Sequence, residues 1–95
     1  MNYLGDKLRN LRESQGLLLR QAAAFVEVDT AFLSKVERGE KKASKEQVIK
    51  LSEFLKTQEN DLLILWLADR INDVVENDTN ATQALKLVLK NLKAS

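Results

Sequence analysis

The sequence predicts an all-α protein built around one core, and three observations carry that prediction. The 95 residues contain no proline and only three glycines, Gly5, Gly16 and Gly39. No segment alternates apolar and polar residues as a half-buried strand would. A hydrophobic fraction of 44% over this length suits one compact domain and is too little chain for two.

The first helix is expected from about Tyr3 to Gln15, since Leu4, Leu8 and Leu11 share one stripe and Gly16 stands where a helix-ending glycine belongs. A short second helix covers about Leu19 to Val26. The third, about Thr30 to Arg38, follows Asp29 as N-cap and stops at Gly39. In the segment SKEQ, Ser44 and Gln47 have the spacing of a capping box. The fourth helix that starts there turns Val48, Leu51, Ser52 and Leu55 inward. A long fifth helix follows over about Glu59 to Glu76, the segment NDTN breaks the chain, and Asn80 with Gln83 opens a last helix to about Lys93.

The third helix separates into two faces. At 3.6 residues per turn, Phe32, Leu33 and Val36 fall on one side, while Thr30, Ala31, Ser34, Lys35 and Arg38 fall on the other. The first set anchors in a core. The second offers small, hydroxyl-bearing and cationic side chains, which suit close approach to a nucleic-acid groove; taken alone, it also matches an ordinary solvated face.

Composition excludes much chemistry. With no Cys and no His, the chain lacks disulfides, thiolates, imidazole bases and the usual zinc ligands. Asp69, Asp73 and Glu76 resemble a carboxylate set, but they lie with Arg70 on an outward face and read as solvating charge. No enzyme activity, cofactor, metal or small-molecule ligand is expected. Neither a membrane span nor a signal peptide is visible, so a cytoplasmic chain is expected. Residues 1–57 hold 11 Lys and Arg against 8 Asp and Glu, a net +3, whereas residues 58–95 hold 4 against 6, a net −2. The first part is therefore the better partner for a polyanion.

The order of the pieces is more specific than the charge. Two short helices joined by a tight turn, RQAAAFV EVD TAFLSKVERG, with one helix before and another after, form a helix-turn-helix arrangement. Residues 16–39, GLLLRQAAAFVEVDTAFLSKVERG, resemble the DNA-binding domains of the phage-repressor and Cro family, also called the XRE family, and Glu37, Arg38 and Gly39 match its acidic–variable–glycine ending. The resemblance covers about residues 3 to 67. It makes the third helix a recognition helix, with Thr30, Ala31, Ser34 and Lys35 at base edges of double-stranded DNA. Arg38, Lys41, Lys42 and Ser44 would lie near phosphates. It also makes Arg12 and Glu37 a partly buried ion pair between the first and third helices. The chain departs from the family at Leu18 and Leu19, where a phosphate-contacting polar residue is usual, which leaves Arg20 as the substitute. It departs again at Glu27, where the turn often has glycine, so that Glu27 is left-handed or the turn differs. Phe25 replaces a polar residue and either packs against the C-terminal helices, the expected outcome, or is an exposed partner contact.

The C-terminal third requires a partner surface. The segment LLILWLA, residues 62–68, is apolar around the whole helix, and Trp66 within it is expected in the core. Leu67, Ile71 and Val74 continue one stripe, and Leu85, Val88, Leu89 and Leu92 form another. These helices either close over their own domain or pack on a second copy, and a homodimer is the expected outcome, since two-fold symmetry doubles the contact on a palindromic site. The division expected is a DNA-binding domain over residues 1–67 and a dimerising extension over 68–95. The resemblance implies a dimeric transcriptional regulator similar to restriction-modification controller proteins and Cro-like repressors. The competing reading is a repressor-fold interaction module or antitoxin whose main partner is a protein.

Overall fold

The computed structural model describes residues 2–94, and among them the only regular elements are six helices. They are α1 (Tyr3–Ser14), α2 (Leu19–Val26), α3 (Thr30–Glu37), α4 (Lys45–Phe54), α5 (Glu59–Val75) and α6 (Ala81–Ala94). The all-α expectation holds, including the long fifth helix and the additional sixth.

Apolar stripes decide how the helices meet. Leu8 of α1, Leu33 of α3, Val48 of α4, Leu55 just after it and Leu62 of α5 are the fully buried large side chains, and Ala22, Ala23 and Val26 of α2 close the core beside them. Each such leucine or valine contributes about 1.5–3 kcal/mol by leaving water. The small alanines let α2 lie close to α3 and α4, while α5 spans α1 and α4. Phe25, expected against the C-terminal helices, instead packs on Phe54 of α4 with ring centroids 5.3 Å apart and the rings tilted by 43°. It lies on α2, and α2 packs on α4 rather than on the C-terminal end.

Backbone-closed turns end the first four helices. After α1, the Leu17 N–H reaches the Arg12 carbonyl and the Gly16 N–H reaches that of Glu13, both at 3.0 Å. The same pair of bonds recurs after α2 (Val28 to Ala23, Glu27 to Ala24), after α3 (Glu40 to Lys35, Gly39 to Val36) and after α4 (Thr57 to Ser52, Lys56 to Glu53). Each turn needs one left-handed residue. Gly16 and Gly39 supply it at two of them, but Glu27 (φ 65°) and Lys56 (φ 55°) supply it at the others against a steric penalty. Glu27 is thus the left-handed alternative of the two anticipated.

The helix starts are capped unequally. Ser44 Oγ accepts from the Gln47 N–H and Gln47 Oε1 from the Ser44 N–H, the reciprocal box expected from SKEQ. Asp29 holds the N-cap position of α3 in extended conformation, yet its side chain makes no cap bond. At α2 the apolar Leu18 cannot accept, and Gln21 Oε1 takes the Leu18 N–H alone at 2.8 Å.

No residue of α6 is buried, and α6 contributes nothing to the core. The radius of gyration is 15.0 Å, with extents of 42 × 27 × 21 Å. A compact domain of this length would have a radius of about 12 Å. The excess is the C-terminal arm of the late part of α5 and α6.

Glu27→Gly is expected to raise unfolding stability by about 0.5–1 kcal/mol. The left-handed penalty of about 1–2 kcal/mol would be relieved, less the greater entropy of an unfolded glycine. Urea titration with an unchanged slope checks this. A loss of stability would instead show that the exposed Glu27–Lys50 contact at 3.8 Å matters more than backbone strain.

Candidate nucleic-acid interface

Two α1–α3 contacts hold α3 in place. Arg12 Nε donates to Glu37 Oε2 at 2.8 Å and its Nη2 to Oε1 at 3.0 Å, a bidentate pair, while Nη1 donates to the Leu17 carbonyl at 2.9 Å. Glu37 is 7% exposed and Arg12 15%, so this pair is shielded from screening. Hydrogen bonding to Glu37 raises the Arg12 pKa against the opposing effect of burial, so the guanidinium stays charged at any pH the fold meets. The second contact is Asn2, whose Oδ1 accepts from the Gly5 N–H while its Nδ2 donates to the Glu37 carbonyl at 2.7 Å. Gly5 has no side chain for a steric reason: a Cβ there would collide with the Glu37 carbonyl oxygen and with Asn2.

With Leu33 and Val36 buried, α3 turns its other face outward. Thr30, Ala31 and Lys35 are exposed, and Ser34, half-buried, lines a shallow depression with Arg9, Arg12, Leu19 and Arg38. Lys35 makes no ion pair among the described residues, and neither do Arg20 in the first turn of α2 or Lys41 beyond α3. Arg38 Nε meets Glu40 Oε2 at 2.8 Å, and Lys42 is paired with Asp73 of α5. Ser44 Oγ accepts its cap bond and retains a hydroxyl proton to donate outward.

Two side chains read as solvating charge have other tasks. The Asp69 carboxylate accepts from the Tyr3 N–H at 2.8 Å and the Leu4 N–H at 3.0 Å, so it caps α1 from a distant helix. Negative charge at a helix N-terminus is favoured by the peptide dipoles, and here it ties α5 to α1. Asp73 lies one turn further along α5, against Lys42. Trp66 donates its indole N–H to the Ala43 carbonyl at 2.9 Å and lies 4.9 Å beneath the Arg70 guanidinium. It is half-buried against the core, not within it. Except for the Trp66–Arg70 contact, one turn apart on α5, none of these partners is visible from local spacing, because each joins residues far apart in the chain.

A helix-turn-helix domain model matches residues 3–63, which takes in α1 to α4 and the start of α5. The chain belongs to the helix-turn-helix domain family. Two solved structures of the clp gene regulator ClgR from Corynebacterium glutamicum are similar to this helix-turn-helix chain. One is 33% identical with a TM-score of 0.61, covering 70% of this chain and 87% of that one. The other is 27% identical with a TM-score of 0.63, covering 98% and 85%. No curated protein matches. In the helix-turn-helix frame, α2 and α3 are the paired helices, and α3 has the position of the recognition helix. No helix among the described residues is long and apolar enough to cross a membrane.

The Arg12–Glu37 pair defines a test of how this helix-turn-helix is held. Glu37→Ala alone strands a shielded guanidinium and is expected to cost about 3 kcal/mol of unfolding stability, whereas Arg12→Met with Glu37→Leu recovers much of it. A double-mutant cycle by chemical denaturation measures the coupling, and small additive effects would mean the pair contributes little.

Proposed function

We propose that this chain is a cytoplasmic DNA-binding transcriptional regulator that acts as a homodimer on a palindromic operator. The observation that carries this reading is the outward face of α3, whose four small or flexible side chains stand free of ion pairs on a helix locked to α1 by shielded polar contacts. Thr30, Ala31, Ser34 and Lys35 read base edges in the major groove, where hydroxyl and ammonium donors meet acceptors and a methyl group meets thymine. Arg20, Arg38, Lys41, Lys42 and Ser44 flank that face and hold phosphates, which fixes register without reading sequence.

The arm supplies the dimer. Leu67 and Ile71 on α5, with Leu85, Val88, Leu89 and Leu92 on α6, are exposed, and Val74 is 81% exposed. An apolar surface of that extent is covered in a soluble protein. A second copy of the chain covers it by symmetry and places two α3 helices about 34 Å apart, on successive major grooves. On this reading, residues 1–67 are the DNA-binding part and residues 68–95 the dimerising extension, with α5 running unbroken through both. The similar ClgR structures are of a gene regulator, which supports the regulatory role.

Selection of bound sites from a randomised duplex pool tests the reading directly, and a palindromic product with half-sites one helical turn apart is expected. On the selected site, Lys35→Ala is expected to weaken binding by about 1–3 kcal/mol and relax preference at one position of each half-site. Lys42→Ala weakens all sequences alike and flattens the salt dependence. Indifference of the selected site to both substitutions would overturn the recognition assignment.

Assembly has its own test. The chain is expected to sediment as a dimer at micromolar concentration, and Ile71→Glu or Val74→Glu to shift it towards monomer while lowering operator affinity far more than unfolding stability. A wild-type chain that binds the palindrome tightly as a monomer would remove the arm from this account.

A further inference from the structure

The corner between α3 and α4 carries three cations, and two of them already hold carboxylates. Arg38 is paired with Glu40, its neighbour along the chain, which moves with the corner. Lys42 is paired with Asp73, which belongs to a different element. That element is anchored on the N-terminal side of the contact. Trp66 donates to the carbonyl of Ala43, the residue after Lys42, and Asp69 caps the start of α1. Residues 66, 69 and 73 recur at intervals of three and four and therefore share one face of α5. Asp73 is thus delivered to Lys42 by a docked helix.

We propose that Asp73 is an intramolecular rival of the DNA phosphate for Lys42, and that it tunes the sequence-independent part of DNA affinity. This rests on the reading of Lys42 as a phosphate contact. An ammonium accepts either anion. A phosphate arriving at Lys42 must displace Asp73 or meet a pair without net charge, and in both cases the corner attracts the backbone less than a bare lysine does. The displaced carboxylate is not stranded, because Arg70, one turn back on α5, lines the same depression as Lys42 and Asp73. Backbone contacts carry no sequence information, so the rivalry lowers affinity for every duplex by one factor and leaves base discrimination to α3. An exposed pair shifts an equilibrium by roughly 1.5- to 5-fold, and two protomers on one duplex square that factor.

The test uses the full chain with Asp73→Asn, Lys42→Ala and both together, titrated by fluorescence anisotropy against the selected operator and against a random-sequence duplex over a series of salt concentrations. Asp73→Asn is expected to tighten both duplexes by the same factor, about two- to 25-fold. The gain should shrink at high salt and vanish in the Lys42→Ala background. Asp73→Asn without effect overturns the proposal. So does an equal gain with Lys42 absent, which would make Asp73 one unit of net charge among others. If no variant, the unaltered chain included, binds either duplex at low salt, the DNA reading itself fails. That outcome differs from binding that is indifferent to Asp73.

Discussion

The bidentate contact between Arg12 and Glu37 is the constraint on which the presentation of α3 depends. An eight-residue helix with two buried aliphatic side chains has little apolar area to fix its rotation or its slide along the core. A planar guanidinium that meets both carboxylate oxygens, with a third donor on the Leu17 carbonyl, fixes both. Because the same arginine reaches the link that precedes α2, one side chain sets α3 against α1 and against the entry to its partner helix. Asn2 repeats the logic at the carbonyl end of α3, where the missing side chain of Gly5 allows the approach.

α5 extends that frame to the rest of the molecule, and it does so with two unlike faces. Trp66, Asp69 and Asp73 form the polar one, reaching the α3–α4 corner and the start of α1 through an indole N–H and two carboxylates. Leu67, Ile71 and Val74 form the apolar one and are left in water by this chain alone. A single helix thus joins the exposed apolar stripe to the corner that carries Arg38, Lys41 and Lys42.

Much of this was legible in the sequence, and what was not shares a physical cause. Helix existence, the Ser44–Gln47 box and the glycine ends at Gly16 and Gly39 are set by residues within one turn of each other, and local spacing revealed them. The assignment of Arg12 to Glu37 came from resemblance, not from spacing. Asp69 and Asp73 read as solvating charge in the sequence because their partners, the N–H groups of Tyr3 and Leu4 and the ammonium of Lys42, come near only when α5 is docked. The neighbour of Phe25 escapes local spacing for the same reason, since its contact with Phe54 follows from the packing of α2 on α4. Asp29 shows the reverse error: a good N-cap residue in the right backbone position whose side chain makes no cap bond.

The backbone-closed turns that end α1 to α4 have a consequence for association. In each, two amide–carbonyl bonds and one left-handed residue use up the freedom of the link, so the segments between helices behave as rigid corners and not as tethers. A recognition surface carried on mobile loops loses conformational entropy when it docks, often about 0.5–1.5 kcal/mol for each side chain or segment that becomes ordered. Here that loss was incurred when the chain folded. Glu27 and Lys56, held left-handed without being glycine, carry a steric cost for that rigidity, and any partner of the helix pair meets corners that are already set.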